Sequence, residues 1–212
     1  MDVSYLRRSA TGPALEREDL DDDPIVQFEL WFREACDTGR KDPNAMSLAS
    51  VDTEGRPAAR TVLLKYFDNK GFVFFTNLES KKATHIKNNS NVALLFFWRE
   101  LGQQVSIRGT AERISTAETL KYFATRPRGS QVGAWVSAQS SVISSRSLLE
   151  SKYEEIKRKF ADKEVPLPSF WGGYRVQPLE FEFWQGRTNR LHDRFLYTRQ
   201  EDDSWHVDRL AP

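Results

Sequence analysis

Over most of the stretch from residue 44 to residue 113, apolar side chains recur at every second position, and clusters of Asp, Asn and Gly cut the run into short pieces. Period two is the period of a strand with two unlike faces, and Asp/Asn/Gly clusters make tight reversals. Residues 45–51 are predicted as a strand, Asp52-Thr53-Glu54-Gly55 as a turn, and 59–67 as a second strand. Asp68-Asn69-Lys70-Gly71 turns the chain again into a third strand at 72–76. Strands joined this way pair as antiparallel hairpins. Residues 92–98 are apolar throughout, which predicts a strand buried on both faces. Residues 104–113 alternate cleanly, and the tail offers three more strands at 174–184, 191–198 and 204–209. Seven or eight short strands in hairpin order leave many open edges unless the sheet closes. The expectation is a mainly β (α+β) fold, an antiparallel barrel with peripheral helices, and not a doubly wound sheet.

The helices carry their own signals. Asp23 is a candidate N-cap before Pro24, with Ile25, Phe28, Phe32 and Ala35 at helical spacing and Gly39 as a stop. Residues 80–88 read as a short helix. Ser115-Thr116-Ala117-Glu118 is a capping-box pattern, and Arg126-Pro127 ends the helix that follows it. Ser147-Leu148-Leu149-Glu150 opens another, running to about Phe160. Residues 1–23 are polar and end in an acidic run, and are read as a mobile arm before a single domain at 24–212.

Composition narrows the function classes. The 31 Lys and Arg against 30 Asp and Glu give a net charge of +1, which argues against a nucleic acid partner. No run of 18 apolar residues exists, so no membrane span is expected, and no apolar stretch follows Arg7-Arg8 to make a secretory signal. Cys36 stands alone, and His85, His192 and His206 are far apart, so neither an internal disulfide nor a metal site is expected. A reducing, cytoplasmic location follows as the default.

The chain has no G-x-x-x-x-G-K-[ST], G-x-G-x-x-G or G-x-S-x-G motif. A bound phosphate must therefore be held by side chains and strand ends. Arg60 and Lys65 flank the apolar run Thr61-Val62-Leu63-Leu64. On one regular strand they face opposite sides, as two solvated ends do; a bulge would let both serve one ligand. Thr76, Ser80, Lys81 and Lys82 gather hydroxyls and ammonium groups at a helix start. Tyr122 and Arg126 share a helix face, with Ser130 just beyond its end, a set able to grip a phosphate or to sit as a surface pair. The densest group is 182–194, where Arg190, His192 and Arg194 alternate with Leu191 and Asp193. On a strand those three point to one face and repel unless an anion or carboxylate lies between them. Trp184 could wall a ring or simply fill core.

Phe183-Trp184-Gln185, then four residues, then Arg190-Leu191-His192-Asp193-Arg194 resembles the signature of the pyridoxamine 5′-phosphate oxidase family, and the likeness runs along nearly the whole chain. The resemblance implies an FMN-binding split barrel and a homodimer with FMN at the subunit interface. It implies oxidation of pyridoxamine 5′-phosphate or pyridoxine 5′-phosphate to pyridoxal 5′-phosphate, with O2 becoming H2O2. Carried over, FMN contacts fall on Arg60, Thr61, Val62, Leu63, Leu64, Lys65, Phe75, Thr76, Lys81, Lys82, Gln104, Gln139, Ser140, Trp184 and Arg194. Substrate contacts fall on Lys65, Tyr122, Arg126, Ser130, Arg190, Leu191 and His192, with Arg190 and His192 at the chemistry and Arg7 and Arg8 in an arm that closes over the substrate. Ala10 replaces a tyrosine common in the family's arm, and Lys81 replaces an arginine, a point charge in place of a planar fork. A carrier of pyridoxal 5′-phosphate, or a split-barrel flavin enzyme with another substrate, is the competing reading.

Overall fold

A computed structural model describes residues 1–3, 5 and 12–212 of the chain. Arg7, Arg8 and Ala10 lie outside the described residues. Among those described, nine strands make one sheet. They are β1 (Ala45–Val51), β2 (Pro57–Leu63), β3 (Tyr66–Asp68), β4 (Gly71–Asn77), β5 (Asn91–Trp98), β6 (Gln103–Arg113), β7 (Trp171–Gln185), β8 (Asp193–Arg199) and β9 (Trp205–Leu210). Every ladder is antiparallel, in the order β2-β1-β5-β6-β7-β4-β3, with β8 pairing β7 and β9 pairing β8.

The long strand β7 makes the barrel split. Its first part pairs with β4 (Phe72↔Val176 to Asn77↔Trp171) and its last part with β8 (Glu180↔Thr198 to Gln185↔Asp193). The switch falls at Pro178, which has no N–H to give to a ladder. Opposite it, the β6 register slips between Arg108 and Gly109. A side chain at Gly109 would place its Cβ 2.1 Å from the Gln177 carbonyl oxygen, so only glycine lets the two backbones approach there.

Helix α1 (Pro24–Asp37) begins as expected, with Asp23 accepting from the Ile25 N–H at 2.8 Å, and plugs the barrel. Phe28 is fully buried, edge-on to Phe67, Phe72 and Phe96. Burying such a ring contributes on the order of 1.5–3 kcal/mol. Leu15 and Leu20 of the N-terminal segment are buried in the same cluster. Helix α2 (Lys81–Asn88) follows β4, and α3 (Thr116–Thr125) has the Ser115 cap, which accepts from Glu118 N–H.

Several expectations change. The sequence reading has no helix at α4 (Arg128–Val136), where Pro127 ends α3 and at once starts the next helix. Helix α5 (Arg146–Lys159) is capped by Ser145, which accepts from Leu148 N–H, and not by Ser147. Strand β5 is not buried on both faces: Val92, Leu94, Phe96 and Trp98 point inward, while Leu95 and Phe97 are exposed. Helices α3 to α5 enclose a second apolar cluster around Phe123, Val132, Ile156, Phe160 and Trp171. No helix among the described residues is long and apolar enough to cross a membrane.

Candidate functional site

Between the barrel and the second cluster lies a cavity of about 740 Å³. The expected strand 59–67 breaks to form its wall. Leu63 ends β2; Leu64 N–H then donates to the Asn44 carbonyl at 2.9 Å, and Lys65 N–H to the Val73 carbonyl at 2.9 Å. The chain thus changes partner from β1 to β4, and the break brings Lys65 to the cavity that Thr61, Val62 and Leu63 also line. Leu64 turns into the core at 3% exposure and does not line the cavity.

One end of the cavity is built on β4 and α2. Lys82 is buried, and its Nζ donates to Thr76 Oγ1 at 2.9 Å, Ser80 Oγ at 3.2 Å and Gln139 Oε1 at 2.7 Å. Burial, and then the nearby Arg60 charge, push the Lys82 ammonium down to about 8. Arg60 Nη1 donates to the Leu48 carbonyl at 2.9 Å and to Ser50 Oγ at 2.8 Å, and burial lowers its pKa too. Ser140, with φ of 74°, accepts from Lys81 N–H at 3.4 Å, so the 137–140 segment closes over the start of α2.

The other end is built on α3 and α4. Tyr122 stacks on Phe75 with centroids 4.0 Å apart, and Phe75 stacks on Trp171 at 5.2 Å. Arg126 lies 4.6 Å over the Trp171 ring, and its Nη1 is buried with no hydrogen-bond partner. Burial lowers the Arg126 pKa; burial and then the Arg126 charge lower that of Lys65; burial raises that of Tyr122. Ser130 stands in the first turn of α4. Glu118, one turn before Tyr122, accepts from Tyr66 Oη at 3.0 Å and Arg175 Nη2 at 3.1 Å, which fixes α3 on the barrel. Among the described residues that line the cavity none is acidic. Desolvated cations and an orphaned guanidinium N–H without a carboxylate call for anionic ligands. The donor set fits two phosphates, one at each end, and the Val62, Phe75 and Trp171 walls fit a flat ring system between them.

The remaining candidates gather elsewhere. Arg190 and His192 are not on a strand with Arg194: β8 starts at Asp193. After Gln185 the chain leaves its ladder through a 3-10 turn at Thr188–Arg190, where Asn189 (φ 55°) and Arg190 (φ 63°) are left-handed. Alternation therefore fails as a guide to where these side chains point. The group still holds together. His192 lies against Trp184 with centroids 4.6 Å apart, and its Nδ1 accepts from Arg187 N–H at 3.0 Å. Arg194 donates to Glu182 Oε1 at 2.8 Å and to the Ala211 carbonyl at 2.7 Å. Gln104 pairs across the ladder with Trp184, and Trp184 with Arg194. Arg190 and Leu191 are exposed.

The sheet relates the two groups. Strand pairing puts Thr61, Ser47, Leu95, Ser106, Glu182 and Leu196 in one row across β2-β1-β5-β6-β7-β8. The parallel row carries Leu63 and Ala45 at one end and Phe97, Gln104, Trp184 and Arg194 at the other. The Thr61 and Leu63 edge of the cavity and the Gln104, Trp184 and Arg194 group thus share one outward face, with β2 and β7 four strands apart in the sheet order. At the usual strand spacing that is about 19 Å. The middle of this face is flat and small (Ala45, Ser47, Ala49, Ala93), with Leu63, Leu95 and Phe97 exposed.

Of the residues expected at the site, the cavity unites Thr61, Val62, Leu63, Lys65, Phe75, Thr76, Lys82, Tyr122, Arg126, Ser130 and Gln139. Trp171, Ser50 and Asn77 were not singled out by sequence. Trp171 supports Arg126, Ser50 orients Arg60, and Asn77 Nδ2 holds the Ser137 carbonyl at 2.9 Å. Only partner geometry distinguishes them from ordinary core and strand residues.

Residues 32–160 match the family model described as pyridoxamine 5′-phosphate oxidase, and residues 171–212 match the pyridoxine 5′-phosphate oxidase C-terminal dimerisation region. The chain is 64% identical to the pyridoxine/pyridoxamine 5′-phosphate oxidase of Rippkaea orientalis over 212 residues, covering all of both chains. It is 57% identical over 212 residues to that of Aliarcobacter butzleri, again covering all of both. Among solved structures, PhzG from Burkholderia lata, in complex with tetrahydrophenazine-1-carboxylic acid, superposes with a TM-score of 0.89 at 28% identity, covering 95% of this chain and 100% of that one. A pyridoxamine 5′-phosphate oxidase-related, FMN-binding protein from Nostoc punctiforme shares the fold at a TM-score of 0.73 and 16% identity, covering 91% of this chain and 100% of that one. By full-length identity, by both family models and by the split sheet, the chain belongs to the pyridoxine/pyridoxamine 5′-phosphate oxidase family.

Proposed function

We propose that this chain is an FMN-dependent oxidase that converts pyridoxamine 5′-phosphate and pyridoxine 5′-phosphate to pyridoxal 5′-phosphate, as a homodimer in the cytoplasm. The observation that carries this reading is the acid-free cavity with a cationic cluster at each end. Lys82, Thr76, Arg60, Lys81, Gln139 and Ser140 hold the FMN phosphate, and Thr61, Val62, Leu63, Lys65 and Phe75 border the flavin. Lys65, Tyr122, Arg126 and Ser130 hold the substrate phosphate. When bound, FMN would supply two-electron redox chemistry: a hydride from C4′ and a proton from the substrate's hydroxyl or amine would leave together, both electrons would pass with two protons to O2 as H2O2, and for pyridoxamine 5′-phosphate water would then release ammonia from the imine.

The outward sheet face supports the dimer. Its flat centre and exposed Leu63, Leu95 and Phe97 suit a two-fold contact, in which the same patch serves both subunits. Such a contact lays Gln104, Trp184 and Arg194 of one subunit over the cavity end of the other. Gln104, Trp184 and Arg194 then complete the flavin site. Arg190, Leu191 and His192 cover the substrate, and Arg190 and His192 orient its reacting end and its exchangeable proton. Arg7 and Arg8 close the arm over it. The test is oxygen uptake by the yellow purified protein with pyridoxine 5′-phosphate. One O2 consumed for each pyridoxal 5′-phosphate formed is the expected result. A colourless protein that binds the aldehyde without oxygen uptake would make it a carrier instead.

Lys82 makes flavin capture sensitive to pH. Its pKa in the free protein is lowered to about 8, so below that pH the ammonium is present, and above it the charge is lost unless an anion restores it. FMN affinity of the stripped protein should fall by up to about tenfold per pH unit above 8. Titrations followed by flavin fluorescence from pH 7 to 9.5 measure this. An affinity that stays flat across that range removes Lys82 from the phosphate, and Lys82→Arg should abolish the slope.

A further inference from the structure

We propose that Arg187 is a positioning residue: it ties the loop of residues 186–192 to the N-terminal segment and so sets how Arg190 and His192 are presented. The loop needs such a tie. Asn189 and Arg190 are both held in the left-handed region, a conformation that side chains other than glycine adopt only when their surroundings enforce it. Within the turn the loop has a single backbone bond of its own, from Leu191 N–H to the Thr188 carbonyl at 3.1 Å.

Arg187 supplies what the turn lacks, in three directions. Its backbone N–H closes the loop onto His192 Nδ1 at 3.0 Å. Its Nη1 donates to the Gly12 carbonyl at 3.0 Å, and its Nε lies 3.6 Å from Asp193 Oδ2. That carboxylate is largely buried and also accepts from Leu15 N–H at 3.1 Å and, through Oδ1, from Arg209 Nη1 at 3.0 Å. Gly12 reciprocates by donating to the Gly186 carbonyl at 3.2 Å. The contact is tight: a Cβ at Gly12 would stand 1.9 Å from Gln185 Nε2, and that amide is itself held by the Leu101 carbonyl at 3.1 Å. The strap of residues 12–15 therefore lies on the base of the loop, with Arg187 as the cross-brace.

This brace also fixes the chemistry that His192 offers. Because Nδ1 accepts a backbone N–H, the neutral ring carries its proton on Nε2. His192 then faces its ligand as an Nε2–H donor. This inference rests on the reading of the loop as the substrate-covering half of the site.

The experiment pairs kinetics with the state of the ring. In flavin-loaded enzyme labelled with 15N-histidine, the Nδ1 and Nε2 shifts of His192 should report a single Nε2–H tautomer; Arg187→Ala keeps the backbone N–H but frees the loop that aims it, so there they should move toward an average of the two. Arg187→Ala should lower kcat/KM for pyridoxine 5′-phosphate roughly 10- to 100-fold while flavin stays bound, the loss that misplacement of reacting groups produces. Arg187→Lys should recover part of it. In an Arg190→Ala, His192→Gln background the same substitution should cost little, because a brace acting through those two residues has nothing left to place. A His192 signal indifferent to Arg187→Ala, or an equal cost in both backgrounds, overturns the proposal. Full turnover by Arg190→Ala and by a His192→Gln variant would overturn the reading of the loop instead, and leave the ring signal to judge the brace.

Discussion

Arg126→Ala raises KM for pyridoxine 5′-phosphate roughly 10- to 150-fold and leaves the saturating rate of flavin reduction nearly unchanged: that is the result expected from a charge-assisted contact, worth about 1.5–3 kcal/mol, to a part of the substrate that does not react. The guanidinium sits at the far end of α3 over Trp171, with Nη1 buried and unpaired. It is held ready for an anion before one arrives. A phosphate contact exists equally in the bound substrate and in the transition state, so its loss appears in KM and not in kcat. Misfolding would not explain the change. Burial already disfavours the Arg126 charge in the free protein, so removing it relieves a desolvated cation even as it loses packing on Trp171. Thermal melts of the flavin-loaded variant check that point. Stopped-flow reduction without oxygen, across substrate concentrations, decides the main one. A large fall in the saturating rate would move Arg126 to the reacting end.

The strands were legible because burial on one face writes itself as alternation. Residues 45–51 and the Asp/Gly turns after them are where the spacing puts them. The caps at Asp23 and Ser115 were legible for a similar local reason, a side-chain oxygen two or three residues from the N–H it accepts. What failed was whatever depends on a distant partner. The run 59–67 looks continuous, but Lys65 N–H finds the Val73 carbonyl on another strand, and the chain bends to meet it. Strand β5 reads as buried on both faces because Leu95 and Phe97 are apolar, yet in one subunit they face out. In the proposed dimer a second subunit covers them, and no periodicity distinguishes such a surface from core. Helix α4 hid behind Pro127, which reads as an ending and is also a start. The Arg190 to Arg194 alternation fails as geometry, because β8 begins only at Asp193. Arg190 sits in a left-handed turn and His192 accepts the Arg187 N–H, so strand pleating sets neither side chain's direction.

Arg190→Ala should behave in the opposite way to Arg126→Ala, and mixing the two should restore activity. Arg190 lies in the loop that leaves β7, remote in its own subunit from the cavity that holds Arg126. In the proposed dimer it reaches the reacting end of the substrate bound by the other subunit. Its loss misplaces C4′ against the flavin, and a misplacement near 1 Å costs about 100-fold in kcat. Each variant homodimer carries its defect in both sites. A mixed dimer collects both defects in one site, since the Arg126→Ala cavity faces the loop that carries Arg190→Ala. The other site joins an intact cavity to an intact loop. With random pairing of equal amounts, half the dimers are mixed and half their sites are whole, so about a quarter of wild-type activity returns in the unsorted mixture and about half in the purified doubly tagged dimer. The assay is run on co-expressed subunits carrying two different affinity tags, at a substrate concentration well below the KM of Arg126→Ala, where neither homodimer contributes. If the doubly tagged dimer is as inactive as its parents, Arg126 and Arg190 serve a site within one subunit, and the two-fold arrangement drawn from the shared sheet face is wrong.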